Sequence, residues 1–195
     1  AHRMLNLINQ ILDFRKIQNE KMRLLVEKLN VRESLEAIME NFENIARQHR
    51  IDFRLEMGAD DVYVWADRDK FEKIFVNIIS NAFKYTPPGK TITVRVKSDD
   101  ENVVVAVQDQ GVGIQPSKVA MLFQRFDTIL QDNIYQQSTG IGLSLVKQLV
   151  DLHHARIDVQ SEEGVGSTFE VSFPVGKTHL EDDERVEFLM NDDIG

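Results

Sequence analysis

A chain of 195 residues with 42% hydrophobic content carries enough apolar material for one good core with an appendage. A net charge of −9 argues against nucleic acid or an anionic membrane surface as the main partner of this domain. With no cysteine there is no disulfide scaffold or thiolate metal site, and no apolar run approaches the roughly 20 residues of a membrane span or the pattern of a signal peptide.

The chain opens inside a helical pattern without an initiator methionine, as expected of a piece of a longer protein. Within His2–Asn19, Leu5, Ile8, Leu12 and Arg15 recur at three- and four-residue steps, a coiled-coil-like seam suited to packing or dimerisation. Met22–Leu29 is strand-like. Asn30 opens a second helix with Leu35, Ile38, Met39, Phe42, Ile45 and Ala46 on one face, Ile51–Leu55 alternates as a half-buried strand does, and Val62–Ala66 is a short strand with the only tryptophan, Trp65.

Asp69–Thr86 (DKFEKIFVNIISNAFKYT) follows. At about 100° per residue its apolar side chains cover somewhat more than half of a helix, and Lys70, Lys73, Asn77, Ser80, Asn81 and Lys84 share the remaining stripe. Asparagine is a poor interior helix former, so Asn77 and Asn81 at i and i+4, with Lys84 along the same line, stand out. Two amide oxygens and an ammonium in a row suit a metal ion and phosphates; a plain solvent-facing stripe is the simpler alternative.

Pro87-Pro88-Gly89 ends that helix. Thr91–Lys97 and Asn102–Gln108 form a β-hairpin, Ser117–Phe126 a short helix, Asp127–Thr139 a loop without periodicity, and Gly140–His153 a helix. Arg156–Ser161 and Ser167–Pro174 make a closing hairpin around Gly164 and Gly166, and the acidic stretch after Gly176 reads as a linker or tail.

Two glycine strings carry chemistry. Asp109-x-Gly111-x-Gly113 ends a buried strand, where glycine permits close backbone approach and the aspartate can accept from an exocyclic amine; an Asx-type turn is the plainer reading. Gly140-Ile141-Gly142-Leu143 opens a helix, whose free N–H groups are a usual phosphate site. Gly164-x-Gly166-Ser167 reads as a tight turn rather than a ligand contact. Neither a Walker loop nor GxGxxG is present.

Taken in order, Asn77–Thr86, Asp109–Gly113, Phe123-x-x-Phe126, a loose loop and Gly140–Leu143 resemble the N box, first glycine box, phenylalanine box and second glycine box of the ATP-binding catalytic domain of sensor histidine kinases, in the Bergerat-fold ATPase group. The resemblance covers roughly Met22–Val175. Arg3–Ile17 resembles the second helix of the dimerisation and phosphoacceptor region. Ser138–Val146, His153-His154 and Gly176–Leu180 are similar to hybrid two-component kinases of the Bacteroidetes type, in which a receiver domain follows.

The resemblance implies an α+β fold, a two-layer α/β sandwich whose mixed sheet carries helices on one face. Residues 1–20 would be part of the dimerisation helix, 21–176 the catalytic domain and 177–195 a tail. It implies ATP and Mg²⁺ as cofactors. Asp109 would hold the adenine amine beside Gly111 and Gly113, and Tyr85 would line the pocket. Asn77 and Asn81 would hold Mg²⁺, Lys84 would neutralise phosphate, Gly140 and Gly142 would meet the phosphates, Leu143 would belong to the nucleotide site, and Arg125 is the nearest basic candidate on the lid side.

Asn77 and Lys84 are the catalytic candidates. Water-splitting relatives carry a glutamate at the position of Asn77, and an amide cannot take a proton, so transfer to a protein histidine is favoured over hydrolysis. That acceptor is expected upstream of Ala1; His2, His49, His153 and His154 are assigned surface or capping roles. The implied partners are the protein's own dimerisation domain in a homodimer and a response-regulator receiver domain. The implied location is the cytoplasmic part of a membrane-anchored sensor. One departure is that 127–139 holds no lysine or arginine for a phosphate.

Overall fold

The computed structural model describes residues 22–123 and 141–189, together with Leu5, Ile8, Asn9, residues 11–13, Arg15 and Lys16, which are helical. The strands are β1 (Leu24–Asn30), β2 (Asp52–Glu56), β3 (Tyr63–Asp67), β4 (Thr91–Ser98), β5 (Asn102–Asp109), β6 (Arg156–Glu162), β7 (Gly166–Pro174) and β8 (Val186–Phe188). The helices are α1 (Val31–Glu40), α2 (Glu43–Gln48), α3 (Arg68–Tyr85), α4 (Pro116–Val119), α5 (Ile141–Leu152) and α6 (Thr178–Glu181).

A mixed five-stranded sheet runs β2-β4-β5-β7-β6, with β2 parallel to β4 and the other pairs antiparallel. Its central strands are rich in valine because both β4 and β5 bury residues on the core face, among them Val94, Val96, Val105 and Val107. The helix α3 packs on this sheet and against α5, burying Phe71, Ile74, Phe75, Ile78, Ile79 and Ala82. Asp67 caps α3: its Oδ1 accepts from the Lys70 N–H at 3.1 Å.

Three features differ from the sequence reading. The second helix is two helices, broken at Asn41 and Phe42, and Ile45 is left exposed. Phe42 instead stacks on Phe83 at 5.5 Å, with Phe53 edge-on to both, so a ring cluster decides the chain path there. The expected helix Ser117–Phe126 is helical only over the single turn of α4, with residues beyond 123 outside the described set.

The third difference is the segment after Gly176. It carries α6 and β8, and β8 pairs in parallel with β1 to complete a small sheet of order β3-β1-β8. Leu180 is fully buried, and the Lys177 ammonium sits 5.0 Å over the Trp65 ring and 5.5 Å from that of Phe188. Up to Leu189 this stretch is therefore part of the domain.

Candidate functional site

A cavity of about 410 Å³ opens between the C-terminal half of α3, the end of β5 and the first turn of α5. Six of the predicted residues line it: Asn81, Lys84, Tyr85, Asp109, Gly113 and Leu143. They come from three separate elements, and only the packing of α3 on β5 and α5 unites them. Arg125 and Gly140, and the stretch 127–139, lie outside the described residues.

Asp109 is the buried end of the cavity. Its Oδ1 accepts two backbone N–H groups, from Gly111 at 2.9 Å and Ser167 at 3.1 Å, and the residue lines the cavity. Burial pushes the Asp109 carboxyl above the ordinary carboxylate value, and the two N–H bonds oppose that rise. A buried acceptor of this kind suits an N–H donor of a ligand.

The glycines are there because other chain segments pass too close for a side chain. A Cβ on Gly111 would stand 2.7 Å from the Tyr85 carbonyl oxygen; one on Gly113, at φ +72°, would stand 2.0 Å from that of Glu162. Gly113 lines the cavity, whereas Gly111 does not. Gly166, read as a turn residue, has the same role: its Cβ would meet the Asp109 carbonyl oxygen at 2.1 Å.

At the other end Asn77 is half-buried, and its Nδ2 donates to the Lys73 carbonyl at 2.6 Å. Its Oδ1 faces the first turn of α5, where a Cβ on Gly142 would come within 2.9 Å of it. Neither Asn77 nor Gly142 is on the cavity wall. Their contact sets how near the α5 terminus stands to the polar stripe of α3. The Lys84 ammonium lies 5.4 Å from the Tyr85 ring, beside the cavity.

Sequence reasoning missed several wall residues: Ile114, Lys118, Leu122, Glu163, Ser167 and Phe169 among them. The alternation of β7, which points Ser167 and Phe169 to one face, was the available signal for those two. Lys118 adds a second cation to the wall. Of the two roles expected for His153, surface or capping, the surface one is overturned, since it is 1% exposed, whereas its ring caps the last turn of α5. Its Nε2 accepts from the Asp67 N–H at 3.1 Å and its Nδ1 meets the Leu149 carbonyl at 2.7 Å, which requires the neutral ring. His154 is exposed and pairs with Asp183 at 2.8 Å.

A partly apolar cavity lined by a carboxylate, an amide and two lysines, beside a helix start, has the chemistry to receive a ligand that carries N–H donors and anionic groups. Residues 66–177, more than half of the chain, match the family "Histidine kinase-, DNA gyrase B-, and HSP90-like ATPase", and the chain belongs to that family.

It is 36% identical over 199 aligned residues to "Histidine kinase P4" of Formosa agariphila, covering all of this chain and 14% of that protein. It is 33% identical to "Sensor histidine kinase TmoS" of Ectopseudomonas mendocina, covering 90% of this chain and 18% of that protein. The chain thus spans less than a fifth of either relative. Among solved structures, the catalytic domain of histidine kinase ThkA superposes with a TM-score of 0.69 at 26% identity, covering 77% of this chain and 96% of that one. The expected ATPase family and mixed-sheet fold are both borne out.

Proposed function

We propose that this chain is the nucleotide-binding part of a sensor histidine kinase, which binds Mg-ATP and passes the γ-phosphoryl group to a histidine on a dimerisation domain, for relay to a response-regulator aspartate. The single observation that carries the transfer reading is Asn77, half-buried against the start of α5, where an amide cannot act as a general base toward water. Asp109 would accept the adenine amine, Tyr85 would flank the base, and Lys84 and Lys118 would face the phosphates.

The donor set fits magnesium shared with a ligand. Asn77 and Asn81 offer hard amide oxygens, and among the described residues no cluster of three or more His, Cys, Asp or Glu could hold a metal by itself. Bound there, the ion would offset phosphate charge. His153 has both ring nitrogens engaged, so it is not the acceptor. The parent is proposed to be a homodimer and a membrane-anchored sensor with a receiver partner; among the described residues no helix is long and apolar enough to cross a membrane.

The test is labelled ATP mixed with this chain and a histidine-bearing dimerisation domain. Label on the histidine domain supports transfer. Binding without label transfer would instead make the chain a nucleotide-binding module, and rapid phosphate release by the chain alone would make it an ATPase.

A further inference from the structure

The C-terminal segment of this domain is bonded to the place where the N-terminal helix joins it. β3 pairs with β1 only from Val26 to Asn30, so Leu24 and Leu25, the first two residues of β1, lie beyond it. Their strand partner is β8, in register Leu24↔Val186, Leu25↔Glu187 and Val26↔Phe188. The Leu24 N–H donates to the Arg185 carbonyl at 2.9 Å, and the Leu189 N–H to the Val26 carbonyl at 2.8 Å. The Leu25 N–H goes to Asp67 Oδ2 at 2.9 Å.

The N-terminal helix also meets the domain through Asp13, whose carboxylate pairs with the Lys73 ammonium at 2.8 Å. That pair is partly exposed, and one such pair contributes little to holding two bodies in a fixed relation. The start of β1 is the stronger tie, and β8 is what keeps it in a sheet. A strand of three residues depends on its side-chain anchors as much as on its ladder. Those anchors are Leu180, fully buried, and Phe188, edge-on to Trp65 with the Lys177 ammonium over both rings. Asp183 adds a third: it pairs with His154 just past α5 and holds the Arg185 guanidinium at 2.9 Å.

We propose that residues 177–189 are a clamp on the entry hinge: docked, they hold Leu24 and Leu25 in the sheet and fix the N-terminal helix against the domain; released, they turn the start of β1 into linker and let that helix swing. A pull or a partner acting on the chain beyond Leu189 is thereby felt at the hinge, far away in sequence. In the proposed kinase, on which this last consequence alone rests, the nucleotide-binding part must travel to a histidine on the dimerisation domain, and release of the clamp sets when it can.

The chain has no cysteine, so spin labels go only to Lys16→Cys and Asp100→Cys, exposed positions on the N-terminal helix and between β4 and β5. The labelled 195-residue chain is diluted with unlabelled chain so that distances within one molecule are read. It is compared with Glu187→Pro, which takes an N–H out of the middle of β8, and with Lys177→Ala, which removes the cation over Trp65 and Phe188. Amide exchange at Leu24 reports docking, and exchange at Val94 and Val105 reports the integrity of the large sheet. In Glu187→Pro, Leu24 is expected to exchange at least about tenfold faster and the distance distribution to widen about twofold, with Val94 and Val105 unchanged. Lys177→Ala gives the same changes, smaller.

Unchanged exchange at Leu24, or faster exchange there with a distribution of unchanged width, overturns the clamp. If Glu187→Pro loses protection at Val94 and Val105, Lys177→Ala decides by the same two readings; loss in both variants makes the segment part of the core and overturns the clamp as well. Failure of the unaltered chain to label a histidine-bearing domain overturns the kinase reading and leaves the clamp standing.

Discussion

Gly142→Ala separates nucleotide binding from stability. The added Cβ would stand 2.9 Å from Asn77 Oδ1, where ordinary contact begins at 3.4 Å, so something must move by about 0.5 Å. Asn77 has little freedom to retreat, because its Nδ2 is already held by the Lys73 carbonyl at 2.6 Å. Moving the side chain about 30° off its staggered χ1 rotamer costs roughly 0.5–1.5 kcal/mol. Alanine recovers up to about 1 kcal/mol of helix propensity over glycine. The two nearly cancel in the folding free energy.

They do not cancel for a metal ion held by Asn77, which then meets a misdirected oxygen. Titration of Gly142→Ala with ADP is therefore expected to show about a fivefold weaker affinity in magnesium, from roughly 1 kcal/mol of rotamer strain, with little change in excess chelator. Its thermal midpoint stays within a few degrees of the parent. Equal affinity in magnesium, or an equal loss with and without it, would refute the placement of the metal at Asn77.

Three further variants have expected outcomes. In Asp109→Asn the amide oxygen keeps the Gly111 and Ser167 bonds while an NH₂ group faces the cavity, so ADP binding drops at least about 100-fold by calorimetry as a donor meets a donor. The same variant loses the acid-side gain of the parent: a carboxyl raised by burial contributes stability below its unfolded value of 3.8 that is lost as pH rises through the folded value. Thr86→Val removes a buried hydroxyl that has no hydrogen-bond partner among the described residues, and denaturant melts should show about 1 kcal/mol of added stability. His153, depressed by burial, contributes stability that is present above 6.5 and lost as pH falls through its lower folded value. Melts between about pH 7 and 5 should lose most of that slope in His153→Gln, with the residue from His179, which burial also depresses.

Local periodicity made most of the elements legible. The stripe of α3 and the valine alternation of β4 and β5 each reflect one face of one element, which sequence records directly. The glycine strings were legible as strings, but the reasons for Gly111, Gly113 and Gly166 are carbonyls of Tyr85, Glu162 and Asp109, contributed from elsewhere in the chain. The acidic run after Gly176 hid Leu180 and Phe188, whose docking depends on Trp65 and on Lys177 between the two rings.

His153 shows how a residue remote from the cavity sets its geometry. Through the Asp67 N–H it fixes the C-terminal end of α5 at the capped start of α3, while Gly142 meets Asn77 at the other end. Along α3 these contacts are ten residues apart and along α5 eleven, or about 15 and 16.5 Å at 1.5 Å per residue. Two antiparallel helices pinned once thus come into register a second time at the Asn77 amide. Deleting one residue from the middle of α5 would keep the His153 contact but turn the first turn by about 100° and draw it back about 1.5 Å, so that a side chain replaces Gly142 opposite Asn77. The buried imidazole is structural in its bonds, and its consequence is where the start of α5 stands against Asn77.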